Sequence, residues 1–196
     1  MKITKNLLKA IAEIRVGYQA NTGIQEKTQG THRLIQSKNF DSFHHLRPKG
    51  LISFSPDRKP ETYSIHKGDI LFQARGMEHF SYYIKKDLKD TIAAGSFYVI
   101  SIKNKNLLPE YLSWWINQPK TQSYFQSQSQ GSLMSFITKR TLSGLEVQIP
   151  PLSVQNKIIK IIVLAEHEQL LLDRLSSLRS RLVKAVCLKA IQEQEK

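Results

Sequence analysis

The sequence of 196 residues contains very little cysteine and no long apolar run. Its single cysteine, Cys187, excludes a disulfide framework and a cysteine-based zinc site. Such a chain suits a reducing compartment. No stretch approaches the roughly 20 apolar residues of a membrane span, and the N-terminal residues are not followed by the apolar segment of a signal peptide. We therefore expect a cytoplasmic protein with no membrane partner.

Acidic residues are also scarce in this chain. There are 16 Asp and Glu against 29 Lys and Arg, so the net charge is +13 at pH 7. Such a charge keeps a protein soluble, and it is also the first indication of a polyanionic partner such as nucleic acid. Residues 1–150 carry +10 of the charge and residues 151–196 carry +3. The excess therefore belongs mainly to the first part of the chain.

Helix-breaking residues are missing from the C-terminal part. All nine glycines and all seven prolines lie within the first 151 residues, and Pro151 is the last of them. Ser153 follows as a suitable helix N-cap. We therefore divide the chain into a domain of residues 1–150 and a long helix of residues 151–196.

The first domain is predicted to be an irregular α+β domain. Short β-prone runs, each bounded by Gly, Pro, Asn, Asp or Ser, predict six strands. These runs are 11–16, 33–36, 51–54, 69–73, 97–102 and 145–149. Two short helices are expected on either side of Pro119, over 109–118 and 120–126. Trp115 shares the apolar face of the first helix and is expected in the core.

Apolar residues recur at alternating spacings of three and four through the C-terminal part, which is the heptad pattern of a coiled coil. A helix of about 40 residues is about 60 Å long, whereas a 150-residue domain is only about 30 Å across. We therefore expect the helix to pair with a helix of a second copy or of another protein. The alternative is a helix folded back on its own domain. The seam residues expected at a dimer interface are Ile161, Leu164, Leu171, Leu175, Leu178, Leu182 and Ala185.

Signatures of catalysis are missing from the sequence. It has no G-x-x-x-x-G-K-[ST] or G-x-G-x-x-G loop, no G-x-S-x-G nucleophile and no H-E-x-x-H zinc motif. A metal nuclease remains an alternative, because Asp57 and Asp87 fit a short PD…(D/E)-x-K pattern that also arises by chance. His44 and His45 lack the companion ligands of a metal site. We expect no catalytic or metal-binding residue and no cofactor bound by this chain.

Basic and amide side chains cluster in the early loops, where residues 1–60 carry 11 basic and 4 acidic side chains. Arg and Lys bind phosphate or guanine, and Gln and Asn bind adenine through paired donor and acceptor groups. A nucleic-acid-binding face is therefore predicted. The candidate contacts are Arg15, Gln19, Lys27, Arg33, Gln36, Lys38, Arg47, Lys49 and Arg75.

Five segments of the chain have a recognisable order and spacing. They are I-A-E-I-R-V-G at 11–17, K-G-D-I-L-F with A-R-G at 67–76, L-P-E-Y-L at 108–112, Gln130-Gly131-Ser132 with I-T-K at 137–139, and I-P-P-L-S-V-Q at 149–155. In this order they resemble the motifs of the specificity (S) subunits of type I restriction–modification systems. One departure is Val154, since the family commonly has Glu at this position of the helix start.

The resemblance implies a target recognition domain followed by a long conserved-region helix. Typical members carry two of each, so this chain resembles a half-length subunit whose two copies pair through antiparallel long helices as a coiled coil. A two-fold homodimer would read a bipartite, palindromic site in double-stranded DNA.

The resemblance also implies that the chain is a non-catalytic part of a larger complex. A DNA methyltransferase (M) subunit would bring S-adenosylmethionine and methylate adenine, and a restriction (R) subunit, where present, would add cleavage. The alternative function is a stand-alone dimeric regulator that binds DNA or RNA without a methyltransferase partner.

Overall fold

A computed structural model describes residues 3–20, 23–128 and 135–192. The chain divides into two compact units, Met1–Gln155 and Asn156–Lys196. The strands among the described residues are β1 (Thr4–Leu7), β2 (Ala12–Val16), β3 (His32–Ile35), β4 (Ile52–Phe54), β5 (Ile70–Gln73), β6 (Arg75–Gly76), β7 (Ser81–Tyr83), β8 (Thr91–Ala93), β9 (Phe97–Ile102), β10 (Ser135–Phe136) and β11 (Glu146–Ile149). The helices are α1 (Leu8–Ile11), α2 (Pro109–Ile116), α3 (Pro119–Gln128), α4 (Lys139–Ser143) and α5 (Leu152–Gln192), with short 3-10 helices at Ser37–Asn39, Pro48–Gly50 and Pro60–Tyr63. The predicted mixed α and β fold with a long C-terminal helix is confirmed.

The first unit is built on an antiparallel four-stranded sheet in the order β2-β9-β5-β7. Leu71 and Phe72 are successive residues of β5, so their side chains face opposite sides of the sheet. Leu71 packs in a buried cluster with Ile35 of β3 and Ala93 of β8. Phe72 contacts Phe125 of α3 instead, with ring centroids 5.0 Å apart. Both faces of this sheet are therefore covered, one by strands and the other by helix.

The covering strands form a second sheet in the order β4-β3-β8, in which β3 pairs antiparallel with β4 and parallel with β8. The chain leaving β2 meets this sheet at Tyr18, whose N–H donates to the Ala93 carbonyl oxygen at 2.7 Å. Gly17 permits this close approach, because a Cβ atom there would lie 2.2 Å from the Ala94 carbonyl oxygen. The loop that follows Tyr18 therefore begins beside the end of β8.

Helix α2 is attached to β7 through Asn117, the residue that follows it. The Asn117 side chain accepts from the Ser81 N–H at 2.7 Å and donates to the Ser81 carbonyl at 2.9 Å. The expectation that Trp115 is a core residue is wrong. It is half-buried, and its indole N–H donates to the backbone carbonyl of Glu146 at 3.2 Å. The buried face of α2 consists of Tyr111, Leu112, Ser113 and Ile116.

Each of the six predicted strands is present, with ends that differ by at most one residue. The run at 11–16 starts later, at Ala12, because Ile11 closes the one-turn helix α1. The unpredicted elements, such as β6, β8 and α4, are two to five residues long. Elements this short have no periodic pattern of their own and are held by distant partners. The motif Gln130-Gly131-Ser132 lies outside the described residues.

The long helix α5 contains 41 residues and begins within the first unit. Its seam residues are exposed in the single chain, with large side chains ranging from 49% exposed at Leu178 to 68% at Leu164. Ala185 is exposed as well. Among the helices of the described ranges, none has the combination of length and apolarity that crossing a membrane requires.

Candidate nucleic-acid interface

Three of the predicted contact residues meet in one open groove of about 530 Å³. Gln19 comes from the loop after β2, Gln36 from the end of β3 and Arg75 from β6. Tyr18 and Gly95 form part of the same lining. We call this feature the Gln19–Arg75 groove. It brings two amide side chains and one guanidinium together from segments that are far apart in the chain.

The position of Gln19 in the groove depends on two glycines. Gly17 lets the chain approach β8 closely, as described above, and so fixes the start of the loop. Gly95 lies under the Gln19 side chain, because a Cβ atom on Gly95 would lie 2.4 Å from Gln19 Cγ. Gln19 remains exposed above this contact. The amide is therefore presented to solvent from a constrained backbone.

Arg75 is exposed and supported from below by an aromatic ring. Its guanidinium carbon lies 4.8 Å from the centroid of Phe136, which is a cation–π contact. β6 and β10 pair at this point, with Arg75 opposite Phe136. Burial raises the pKa of nearby Tyr98, while the positive charge of Arg75 and a backbone hydrogen bond from Lys139 oppose that increase. The groove therefore carries a cation that is held against an aromatic ring.

Three further candidates, Lys38, Arg47 and Lys49, are exposed on one loop over residues 36–50, which we call the basic loop. Asn39 anchors it and is only 4% exposed. The Asn39 side chain accepts from the Gln36 N–H at 2.8 Å and donates to the Gly50 carbonyl at 2.7 Å. The backbone carbonyl of Asn39 accepts from the Arg47 N–H at 2.8 Å. Because Gln36 begins this loop, the three cations are continuous in the chain with the groove.

Asp41 is an acidic residue within the basic loop, and its carboxylate accepts hydrogen bonds from backbone N–H groups of the same loop. Burial tends to raise its pKa, but backbone N–H groups of His45 and Phe43, together with the charges of His45 and Arg47, lower the pKa below its ordinary value. The N–H groups donate to Asp41 Oδ1 at 2.9 and 3.0 Å. The carboxylate therefore stabilises the turn as well as reducing the positive charge of the loop.

The structure does not bring Arg15 to the groove. Its guanidinium donates to the carbonyls of Thr62 and Ser64 and to the side chains of Asp69 and Ser101, at 3.2 to 3.5 Å. The Asp69 side chain is 8% exposed and the Arg15 side chain 28%. Arg15 therefore occupies an internal polar network at the end of the central sheet.

Lys27 and Arg33 also lie apart from the groove. Lys27 lines a neighbouring groove with Tyr18 and Asp57, and the Asp57 carboxylate accepts a hydrogen bond from the Tyr18 hydroxyl. Burial, followed by this hydrogen bond, raises the pKa of Tyr18. Arg33 is half-buried on β3 and donates to the Lys89 carbonyl at 3.2 Å. These two cations are therefore not part of the Gln19–Arg75 groove.

The carboxylates considered for metal-dependent cleavage are engaged in local contacts. Asp57 pairs with Tyr18, and Asp87 Oδ1 accepts from the Lys67 N–H at 2.9 Å. Within residues 3–20, 23–128 and 135–192, no group of three or more His, Cys, Asp or Glu side chains is placed to hold a metal ion.

The predicted contact residues do not include Tyr18, Gly95 or Phe136, which the structure places beside them. Tyr18 and Gly95 meet the two glutamines only because β2 lies next to β9 and β3 next to β8. Phe136 reaches Arg75 through the two-residue pairing of β10 with β6. Pairings of this length leave no periodic signal in a single sequence.

Solved structures of type I restriction–modification proteins share this fold. The S subunit from M. genitalium is 13% identical, with a TM-score of 0.57 over 85% of this chain and 39% of that chain. The HsdS subunit from Thermoanaerobacter tengcongensis is 15% identical, with a TM-score of 0.59 over 85% and 38%. A structure described as the basis of complex assembly and conformational transition of the type I R-M system is 16% identical, with a TM-score of 0.60 over 88% and 40%. At these identities the likeness establishes the fold class, that of the S subunits.

The family can be stated more specifically from the sequence. Residues 8–165 match the type I restriction modification DNA specificity domain, and the chain belongs to this family. The resemblance drawn from the five motifs is therefore confirmed. No curated protein matches the sequence significantly. The chain spans 38 to 40% of the length of the solved chains described above.

Proposed function

We propose that this chain recognises DNA sequence for a type I restriction–modification complex and that the Gln19–Arg75 groove reads the bases. The observation that carries the proposal is the convergence of Gln19, Gln36 and Arg75 on one groove in a chain of this family. The exposed amide of Gln19 can donate to and accept from adenine at the same time, whereas Gln36, whose Oε1 is buried, can only donate. The Arg75 guanidinium can donate twice to guanine. The groove therefore has the donors and acceptors for direct readout in the major groove of DNA.

The basic loop supplies the accompanying phosphate contacts in this proposal. Lys38, Arg47 and Lys49 are exposed, and the hydrogen bonds of buried Asn39 fix the backbone that carries them. Cations of this kind hold the register of a protein on the duplex without reading sequence. Each phosphate contact also makes binding depend on salt through counterion release. Arg15 is assigned to the fold and not to DNA.

We further propose that two copies pair through α5. The apolar seam residues between Ile161 and Ala185, interrupted by Glu168, form a stripe that is exposed in the single chain, and such stripes mark association sites. Antiparallel pairing would relate two recognition units by a two-fold axis. The complex would then read an inverted repeat with a fixed spacer.

The chemistry belongs to a partner in this proposal. The chain places DNA, and an M subunit carrying S-adenosylmethionine flips an adenine out of the duplex and methylates it. An R subunit, where one is present, adds cleavage. The solved relative whose description concerns complex assembly of the type I R-M system supports such a multi-subunit arrangement.

Methylation mapping tests the proposal. Genomic DNA of the host is sequenced for methylated adenine with the gene intact, with the gene deleted, and with the gene carrying Gln19→Ala and Arg75→Ala together. We expect one interrupted, inverted-repeat adenine motif that is present only with the intact gene. An unchanged adenine methylation pattern after deletion would contradict the proposal and favour the stand-alone regulator.

A further inference from the structure

Met77, in the turn after β6, has the most exposed large apolar side chain of the described residues, at 90%. A single exposed apolar residue is common on protein surfaces and needs no explanation by itself. This one differs because the turn that carries it is held by buried polar groups. It also follows Arg75 of the groove by two residues.

The turn has a fixed conformation. Gln73, which is 7% exposed, donates from Nε2 to the Glu78 carbonyl at 3.1 Å. The backbone carbonyl of Gln73 accepts from Nδ1 of His79 at 2.9 Å. The other ring nitrogen of His79 lies 2.7 Å from Ser135 Oγ. Gly76 has φ of +144°, and a Cβ atom there would lie 2.7 Å from Gln73 Nε2. Hydrogen bonds therefore hold the backbone on both sides of Met77, and its side chain is exposed.

A second turn, from the basic loop, stands against the first. His44 stacks on Phe80 with ring centroids 4.0 Å apart, and its Nε2 lies 3.1 Å from Glu78 Oε2. The cleft between the two turns, of about 400 Å³, is lined in part by Ser42 and Met77. The Glu78 carboxylate, on a side chain that is 73% exposed, therefore lies within hydrogen-bonding distance of a histidine of the basic loop.

The charges around Met77 indicate which partner covers it. Arg75 and the exposed cations of the basic loop lie on the two turns or next to them in the chain. A cationic surface with one exposed apolar side chain suits double-stranded DNA, since the cations bind the phosphates and the apolar side chain contacts the bases. An unbranched, polarisable side chain fits against the methyl group of thymine or between neighbouring base pairs.

We propose that Met77 contacts the bases of bound duplex DNA and is a specificity-determining residue of the recognition unit. This inference rests on the proposed function. The contact is apolar, so it contributes to affinity for the target site without releasing counterions. Because hydrogen bonds already order the turn, little backbone conformational entropy is lost when the contact forms.

The test compares variants of the full chain at position 77. A duplex library with a randomised segment is selected with the wild-type chain, and the selected duplex is then titrated with each variant at several salt concentrations. We expect Met77→Leu to bind like the wild type. We expect Met77→Gln, which keeps the length but adds an amide, to bind about 10- to 100-fold more weakly, from the energy of burying a methionine side chain. The salt slope should not change.

Two controls separate the outcomes of this experiment. Ile3→Ala truncates an apolar side chain that is also exposed, at 57%, and should leave binding unchanged. Thermal unfolding of Met77→Gln should match the wild type, since the side chain is in solvent. Equal binding by Met77→Gln and the wild type, or a salt slope lowered by about one unit, would overturn the inference and leave the proposed function intact. Failure of the wild-type chain to select any motif would instead contradict the proposed function itself.

Discussion

Two arginines from the same DNA-binding prediction, Arg15 and Arg75, have opposite environments. Each follows an apolar residue and precedes a glycine within two positions, so the local sequence does not distinguish them as DNA contacts. Arg15 donates into the network around buried Asp69, whereas Arg75 is exposed above Phe136. Their environments differ because different strands lie beside the two arginines. At the residue scale, a basic side chain is therefore assigned by its acceptors and not by its charge.

Replacement of these arginines should separate stability from binding. Arg15→Ala is expected to lower the free energy of unfolding by about 2 kcal/mol, because Asp69 loses its ion pair in a largely buried position. Arg75→Ala should leave unfolding within about 0.5 kcal/mol of the wild type, as for an exposed residue. It should also weaken binding to the selected duplex by about 10- to 100-fold.

Urea unfolding followed by the fluorescence of Trp114 and Trp115, together with titrations of the selected duplex, measures both effects. Folded Arg15→Ala should bind DNA within about twofold of the wild type. If Arg15→Ala bound as weakly as Arg75→Ala while remaining fully stable, Arg15 would be a DNA contact after all.

At the element scale, the start of α5 depends on one buried amide. Gln155 is 0% exposed, accepts from the Leu108 N–H at 2.9 Å and donates to the Asn106 and Pro150 carbonyls at 2.8 and 2.7 Å. Water cannot replace these three hydrogen bonds at a site without solvent access. Gln155 therefore ties the first turn of the long helix to the loop before α2 and to the end of β11.

Removal of this amide should destabilise the first unit. Gln155→Ala leaves three backbone groups without their partner, and we expect the free energy of unfolding to fall by about 2–4 kcal/mol. The matched control is Gln169→Ala in the same helix, where the exposed amide donates to Asp173 at 2.9 Å. The control should change stability by less than about 0.5 kcal/mol. Equal urea midpoints for the two variants would show that Gln155 does not hold the helix start.

At the scale of the whole molecule, the two units have different means of stabilisation. The first unit has a buried core between its sheets and helices. In the second unit, from Asn156 onward, no described residue is buried, and large apolar side chains are exposed along the helix. A helix of this kind gains most of its stability from packing its apolar stripe against another surface. Association is therefore expected to stabilise α5 as well as to set the geometry of DNA recognition.

Charge placed on the seam should abolish this association. Leu175→Glu combined with Leu178→Glu puts two carboxylates in the centre of the proposed interface, where burial of an unpaired charge is prohibitive. Sedimentation equilibrium should give twice the chain mass for the wild type and the chain mass for the double variant. Leu170→Glu, at an exposed position outside the seam, should remain dimeric. A monomeric wild-type chain would contradict pairing of two copies.

The elements that could be predicted from the sequence are those with a local residue pattern of their own. The six strands, the helices on either side of Pro119 and the long C-terminal helix all follow from local alternation, helix breakers and heptad spacing. The order of the five motifs also indicated the family, which the match over residues 8–165 confirms. These properties are local or compositional, so a single chain contains them in full.

Which polar residues lie close together in space depends on the tertiary structure and could not be predicted. Gln19, Gln36 and Arg75 share a groove because β3 and β8 pair in parallel, Gly17 allows a close backbone contact, and Gly95 leaves room for the Gln19 side chain. Arg15, equally basic, was directed inward by the register of β2 against β9. Pairing register moves side chains between faces without leaving a local trace in the sequence. That is the physical reason why the fold could be predicted here, while the membership of the site had to be read from the structure.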